Sequence, residues 1–324
     1  MNEHPISRRD FIIRTGKASG FAAAACAAGW VLHEPLRRPF DRNDEAPVVR
    51  DMRVPGLSPE LVVGHGSDAV ALTAAVLTAL GGMQTFVAQG DVVVVKPNIG
   101  WDRRPEQAAN TNPDVIAELV RHCVAAGAGK VIVTDVTCND PVRCFNRSGI
   151  GAAAREAGAE VLLPSDARLR EVNMGGAMLG RQRVFDLYLE ADKVINVPIA
   201  KHHGLTRVTL GFKNLYGIIG GNRSRLHQDI NNSIADLGNF LRPTLTILDG
   251  MRVLLHNGPQ GGSLDDVETR NTIAASIDPV ALDAWGGMEF FGLAVEEMPW
   301  LPLARDYGLG TEDWASLPRK DVTA

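Results

Sequence analysis

Four cysteines, 6% aromatic side chains and no apolar stretch long enough to span a bilayer stably are the first features of this 324-residue sequence. Positive charge is also in short supply: 33 Lys and Arg face 38 Asp and Glu, for a net charge of −5 at pH 7. That balance argues against general affinity for nucleic acid or anionic membranes. The cysteines form no Cys-x-x-Cys pair, and residues 28 to 324 hold only three of them, one thiolate short of a four-cysteine site. An iron–sulfur cluster within this chain is therefore disfavoured. What is present is ordinary globular composition, 45% hydrophobic and 22% charged, with 33 glycines. Gly-rich, Val-rich sequence points to α/β layers rather than a helical bundle. No internal repeat or low-complexity tract follows the N-terminal segment.

That N-terminal segment has its own character. Ser7-Arg8-Arg9-Asp10-Phe11-Ile12 precedes a mildly apolar, alanine-rich run from Phe21 to Leu32. Paired arginines before a short apolar stretch resemble a twin-arginine export signal, with cleavage expected after Ala27. Lipidation at Cys26 is the alternative, but Ala23-Ala24-Ala25 lacks the leucine common at such sites. The resemblance implies passage through the twin-arginine translocase and a periplasmic or otherwise exported location, with no stable membrane span left in the mature chain. Removing residues 1–27 removes four basic and two acidic residues, so the mature chain is more acidic still. In an oxidising compartment its three cysteines allow one disulfide, expected as Cys138–Cys144 across the Pro141 loop, with Cys123 buried on a helix.

Residues 28–60, rich in Pro, Arg and Asp, read as a linker; residues 61–300 as the α/β domain; and 301–324 as a C-terminal tail. A helix is expected from Ser67 to Leu80, and the β-branched run Val92–Val95 as a strand buried on both faces. Asn112 caps a helix with Pro113 in its first turn, followed by the strand at Lys130–Asp135, a short helix at 151–157 and a strand at 160–163. These elements predict a doubly wound, mostly parallel sheet. Residues 169–183 read as an inserted hairpin, and the stretch from Ala200 to Arg225 as an irregular, loop-rich patch. Further strands are expected at 193–198, 245–249 and 272–276, with helices at 184–190, 226–241 and 278–291.

Candidate chemistry gathers where strands end, because helix N-termini and loop amides face the ligand crevice there. Lys96 and Asn98 follow the Val92 strand directly. The densest constellation is Asn196-Val197-Pro198-Ile199-Ala200-Lys201-His202-His203-Gly204, then Gly211-Phe212-Lys213-Asn214-Leu215-Tyr216-Gly217 and Gly220-Gly221-Asn222-Arg223. Lysines neutralise a small anion, asparagines orient it and imidazoles move protons. This assigns His202, His203 and Lys213 as catalytic candidates and Lys96, Asn98, Lys201, Asn214, Gly220 and Gly221 as substrate-binding candidates. Neighbouring histidines usually point apart, so one site uses one of them more often than both. The cofactor stays unassigned; a metal ion on His202, His203, His227 or Asp249 is one option.

Val94-Val95-Lys96-Pro97-Asn98, Thr111-Asn112-Pro113, Ala126-Gly127-Ala128-Gly129-Lys130-Val131, Pro198-Ile199-Ala200-Lys201-His202-His203, Leu210-Gly211-Phe212-Lys213-Asn214 and Ile247-Leu248-Asp249-Gly250 together resemble the domain of unknown function 362 family over roughly Val92 to Phe291. That resemblance implies little chemistry. Some members carry an added ferredoxin-like module with two Cys-rich motifs, which this sequence lacks. The layout also looks distantly like the N-terminal domain of the nickel-pincer lactate racemases, an analogy that suggests proton chemistry beside a carboxylate. Three readings follow: an enzyme acting by acid/base chemistry on a small carboxylate or phosphate, a metal- or iron–sulfur-associated redox accessory protein, and a non-catalytic periplasmic binder.

The export reading has a direct check. Replacing Arg8 and Arg9 together by lysine should hold the precursor in the cytoplasm on fractionation; processed double variant in the periplasm would overturn it.

Overall fold

The computed structural model describes residues 46–221 and 223–324; the expected signal peptide, Cys26 and the first part of the expected linker lie outside them. In chain order the strands are β1 (Arg50–Asp51), β2 (Leu61–His65), β3 (Val92–Pro97), β4 (Lys130–Val133), β5 (Glu160–Val161), β6 (Leu169–Asn173), β7 (Arg181–Phe185), β8 (Lys193–Val197), β9 (Ile199–His203), β10 (Arg207–Thr209), β11 (Leu241–Arg242), β12 (Leu245–Leu254), β13 (Val267–Ser276) and β14 (Arg319–Thr323). The helices are α1 (Ala69–Ala79), α2 (Pro113–Ala125), α3 (Pro141–Arg147), α4 (Ile150–Glu156), α5 (Leu187–Glu190), α6 (Gly211–Asn214), α7 (Ile230–Phe240), α8 (Pro279–Phe291) and α9 (Trp300–Asp306).

The main sheet runs β14-β2-β13-β12-β8-β3-β4-β5, and β9 adds to β12 and carries β10. Along that path β13 alone runs against its neighbours. Successive residues of the central strands alternate between two apolar layers. Val94, Ile132 and Val194 face the side packed by α7, α8 and α9, while Val93, Val95, Val131, Val133 and Ile195 face α1, α2 and α4. Period-two alternation with both faces apolar is what a doubly wound sheet requires. From β3 the order moves outward through β4 and β5 on one side and β8 and β12 on the other. The carboxyl ends of β3 and β8 therefore flank a topological switch point, where crevices open in such sheets.

Local chemistry fixes this frame. The Asn112 side chain accepts the Asp114 N–H at 3.0 Å and Pro113 follows as the first helical residue, so α2 starts where the sequence says. Thr111 Oγ1 donates to the Val197 carbonyl at 2.8 Å and accepts the Asn98 N–H at 2.8 Å, while Asp249 Oδ2 accepts the Asn112 N–H at 2.7 Å. One tripeptide thus ties β3, β8 and β12 together.

Several expectations change. Residues 46–60 are not all linker: β1 pairs with β11, and Met52 is buried. Residues 301–324 are not a tail, since α9 places Leu301 and Ala304 in the core and β14 closes the sheet beside β2. Neither segment carries the apolar period that marks a core element. The 169–183 hairpin is present as β6–β7, while residues 184–185 finish β7 and helix begins only at Leu187. The patch from Ala200 to Arg225 is more regular than expected, containing β9, β10 and α6. No helix among the described residues is long and apolar enough to cross a membrane.

Cys138 and Cys144 are free thiols rather than the expected bridge. The Pro141 loop is instead a helix, α3, capped by Asp140, which turns the Cys144 thiol inward toward the Gly100 carbonyl. Cys138 Sγ lies outside it against the Arg223 guanidinium. Of the three described cysteines, a thiol reagent applied to the reduced native chain should therefore modify Cys138 alone, with Cys123 and Cys144 following only on unfolding; native labelling of Cys144 by peptide mapping would contradict this packing.

Candidate functional site

The carboxyl ends of β3, β4 and β9 surround a cleft of about 560 Å³. Asn98, Asp135, Lys201, His203, Lys213, Asn214, Tyr216, Arg223 and His227 contribute side chains to its wall. The alternation of β9 accounts for two of these. Lys201 and His203 share one side of the strand, and His202 lies on the other, where its Nδ1 accepts the Gly258 N–H at 3.1 Å. His202 is thus not part of the cleft, which corrects its assignment as catalytic.

Lys96 also leaves the candidate list as a direct ligand-binding group. Its Nζ is fully buried and donates to Asp135 Oδ1 at 2.8 Å and to the Pro97 carbonyl at 3.1 Å. Asp135 Oδ2 accepts the Ile99 N–H at 2.7 Å. Burial opposes charge on both partners, lowering the lysine and raising the aspartate, and each is the counter-charge for the other. Gly217 rests on this pair: a Cβ there would stand 1.8 Å from Asp135 Oδ1 and 2.6 Å from Lys96 Nζ. Its carbonyl accepts the Val136 N–H at 2.8 Å, pinning residues 211–217 against the end of β4.

A chain of side-chain amides runs beneath the cleft. Lys201 Nζ donates to Asn98 Oδ1 at 3.0 Å, Asn98 Nδ2 to Asn214 Oδ1 at 2.9 Å, Asn214 Nδ2 to Asn196 Oδ1 at 2.9 Å, and Asn196 Nδ2 to the Gly211 carbonyl at 3.0 Å. Each amide accepts from the group before it and donates to the one after it, so the chain has a single direction. Lys201 also donates to the Ala109 carbonyl at 2.5 Å, which leaves one of its three hydrogens for a ligand. Burial lowers its pKa to about 7.

Lys213 differs from the other two lysines. Its Nζ sits 3.7 Å above the Tyr216 ring and has no hydrogen-bond acceptor or carboxylate within reach among the described residues. Burial, with repulsion from Arg223 and Lys96, lowers its pKa to about 7, while the ring face holds what charge it keeps. The carboxylate of Asp283 anchors the short helix that carries it, accepting the Gly211 and Phe212 N–H groups at 2.7 and 3.1 Å. Burial raises Asp283 to about 7.

The two cleft imidazoles hold opposite tautomers. His203 Nδ1 accepts the Leu205 and Thr206 N–H groups at 3.2 and 3.3 Å, so Nε2 carries the hydrogen. Burial and then the nearby lysines push its pKa down to about 3, keeping it a neutral donor. His227 Nδ1 lies 3.1 Å from the Arg223 carbonyl and must donate to it, leaving the Nε2 lone pair free. Burial, with Lys213 nearby, lowers its pKa too. Arg223 is spread over the Val136, Tyr216 and Thr137 carbonyls at 2.9 to 3.3 Å and has no carboxylate partner among the described residues.

Of the two glycines expected to cradle an anion, Gly221 borders the cleft. Gly220 does not: its N–H is taken by the Arg183 carbonyl at 2.9 Å and its α-carbon packs on Leu169. Asp249 is likewise spoken for, at the α2 N-terminus. Among the described residues no group of three or more His, Cys, Asp or Glu side chains is arranged to hold a metal ion. Sequence reasoning passed over Asp135 as a site residue and gave Tyr216 and Arg223, both within the constellation, no role. A carboxylate one residue past a buried β-branched strand was the available signal for Asp135.

A family model described as Domain of unknown function (DUF362) matches residues 93–287. A thylakoid-associated protein of Synechocystis sp. is 31% identical over 220 residues, 64% of this chain and 65% of the relative, so the match spans just under two thirds of that protein's length. Among solved structures, the lactate racemase apoprotein from Thermoanaerobacterium thermosaccharolyticum aligns over 78% of this chain and 61% of its own, with a TM-score of 0.40 and 13% identity. A protein from Thermotoga maritima aligns over 57% of this chain and 51% of its own, at a TM-score of 0.33 and 10% identity.

The buried lysines give stability a measurable pH dependence. With folded pKa values of about 7 against about 10.4 in the unfolded chain, Lys201 and Lys213 bind fewer protons folded than unfolded throughout that interval. Stability must then rise with pH between about 7.5 and 8.5, by about 1 kcal/mol per pH unit for each lysine. The carboxylates raised to about 6 and 7 act in the opposite sense below this window, and the buried Cys123 and Cys144 thiols, raised to about 12 and 11, act so above it. Denaturant unfolding across the window should show the positive slope, and Lys213→Met should remove one lysine's share; an unchanged slope would show that Lys213 keeps its proton when folded.

Proposed function

Since this chain belongs to the domain of unknown function (DUF362) family, whose description carries no reaction, we propose from the cleft itself that it is an enzyme that binds a small carboxylate or phosphate and moves a proton on it. The observation that carries this reading is an excess of positive charge at the cleft, from two buried lysines and a half-buried arginine. Lys201, Lys213 and Arg223 face the cleft without a carboxylate partner among the described residues, and Asp135, on the same wall, is already paired with Lys96. Uncompensated buried cations are costly, and an anionic ligand relieves that cost.

The groups divide the work. Lys201 keeps one hydrogen for an anion, and His203 Nε2–H is a second donor held neutral over the whole physiological range. Arg223, its donors engaged by carbonyls, contributes a fixed field more than a grip. Lys213, with a pKa of about 7, gives and takes a proton with nearly equal ease at neutral pH, the condition under which general acid/base catalysis is most effective. The free Nε2 of His227 is a second base on the same wall. Export through the twin-arginine route into the periplasm belongs to this proposal, supported by the order of residues 7–32.

Thermal unfolding in the presence of phosphate and of short carboxylates tests the reading. At least one such anion should stabilise the wild type, by roughly 3 kcal/mol when present at about a hundredfold its Kd, and Lys201→Met should abolish most of that gain. If no small anion shifts the wild-type transition, the cleft is not an anion site.

A further inference from the structure

We propose that Lys213 is a nucleophile, its Nζ forming an imine with a small anionic substrate that carries a carbonyl next to its acid group, the chemistry of a 2-oxo acid. This rests on the anion-site reading above and names the class of substrate.

Three lysines meet at this end of the sheet, and their surroundings sort them. Lys96 is locked to Asp135 and the Pro97 carbonyl, so losing its proton would break a buried ion pair. Lys201 donates to Asn98 and Ala109 and anchors the amide chain. Of the three, Lys213 alone has no acceptor to lose among the described residues: its Nζ, on a residue 8% exposed, lies over the Tyr216 face. Such an amine can shed a proton without leaving a carbonyl or carboxylate unsatisfied, and its lone pair is free to attack. The ring beneath suits the product as well, since a protonated imine is a cation at the same position.

The step balances without any redox partner. The neutral Nζ adds to the carbonyl carbon, the C–N bond forming as the carbonyl π pair moves to oxygen. One Nζ proton passes to that oxygen to give the carbinolamine. The hydroxyl then leaves as water on taking a proton from solvent, and the nitrogen lone pair closes the C=N bond with the second Nζ proton kept, which gives the protonated imine. His203 Nε2–H is the cleft's neutral donor toward a developing oxyanion, and the His227 Nε2 lone pair is a relay for the protons. The adjacent acid group falls to Lys201 and the field of Arg223.

Pyruvate with cyanoborohydride probes this, because hydride converts an imine to a stable secondary amine. After incubation of the purified chain near pH 8, where a lysine of pKa about 7 holds roughly a hundredfold more free amine than an ordinary one, peptide mapping should find the adduct concentrated on Lys213. Propionate, which has the carboxylate but no carbonyl, should compete with it. The surface residue Lys320 serves as the internal reference, so the result does not depend on whether a variant folds. Lys213→Arg, which keeps the charge but not the nucleophile, should remove the adduct. Labelling of Lys213 no greater than that of Lys320 overturns the imine. If propionate still stabilises the protein in that case, the anion site stands; if it does not, both readings fall together.

Discussion

The buried ion pair between Lys96 and Asp135 is the constraint on which the cleft depends. It joins the end of β3 to the segment after β4 across 39 positions of sequence, in surroundings where neither charge is tolerable alone. Removing one partner of such a pair typically costs about 3–5 kcal/mol, because the other is left charged or forced neutral. The pair also sets the height of the cleft floor. Gly217 lies on it with no room for a side chain, and the backbone on either side carries Lys213, Tyr216 and Arg223 to their places. A larger residue at 217 would raise the floor and move all three.

Two carboxylates do similar work at the backs of helices. Asp249 receives the N–H at the start of α2, and Asp283 receives those at the start of α6. Burial raises both, so each carries strain that its hydrogen bonds offset only in part. The result is that elements from four parts of the chain, the ends of β3 and β8 and the starts of α2 and α6, are held by side chain to backbone bonds around one hole. The amide chain from Lys201 to Gly211 then closes the circuit between β9 and α6.

Much of this was legible in the sequence. Asn112-Pro113 marks a helix start by local chemistry alone, and Val92–Val95 marks a doubly buried strand by composition. The placement of Lys201, Lys213, Asn98 and Asn214 around one opening followed from the rule that strand ends gather ligands. What sequence could not separate was Lys96 from Lys213. Both end apolar stretches, and their different roles come from partners distant in sequence: an aspartate for one and an aromatic face for the other. His202 and His203 differ for a simpler reason, the alternation of β9, but that required knowing the segment to be a strand when its glycines and histidines read as loop. β14 was missed because Arg319-Lys320-Asp321 is polar, as suits a strand whose second edge pairs with no strand among the described residues.

That same β14 gives the fold a direction in time. β2, at residues 61–65, finds its two partners only in β13 at 267–276 and β14 at 319–323. A ribosome extending this chain therefore produces one of its earliest strands long before anything exists to lie against it, and contacts that close such long loops form slowly. Until residues 319–323 have been made, β2 offers an open edge of Leu61, Val62 and Val63 to any other extended chain. This end of the sheet is where a nascent or truncated form would be captured by chaperones or would aggregate, while the cleft side, whose strands all lie between residues 92 and 254, can already be complete.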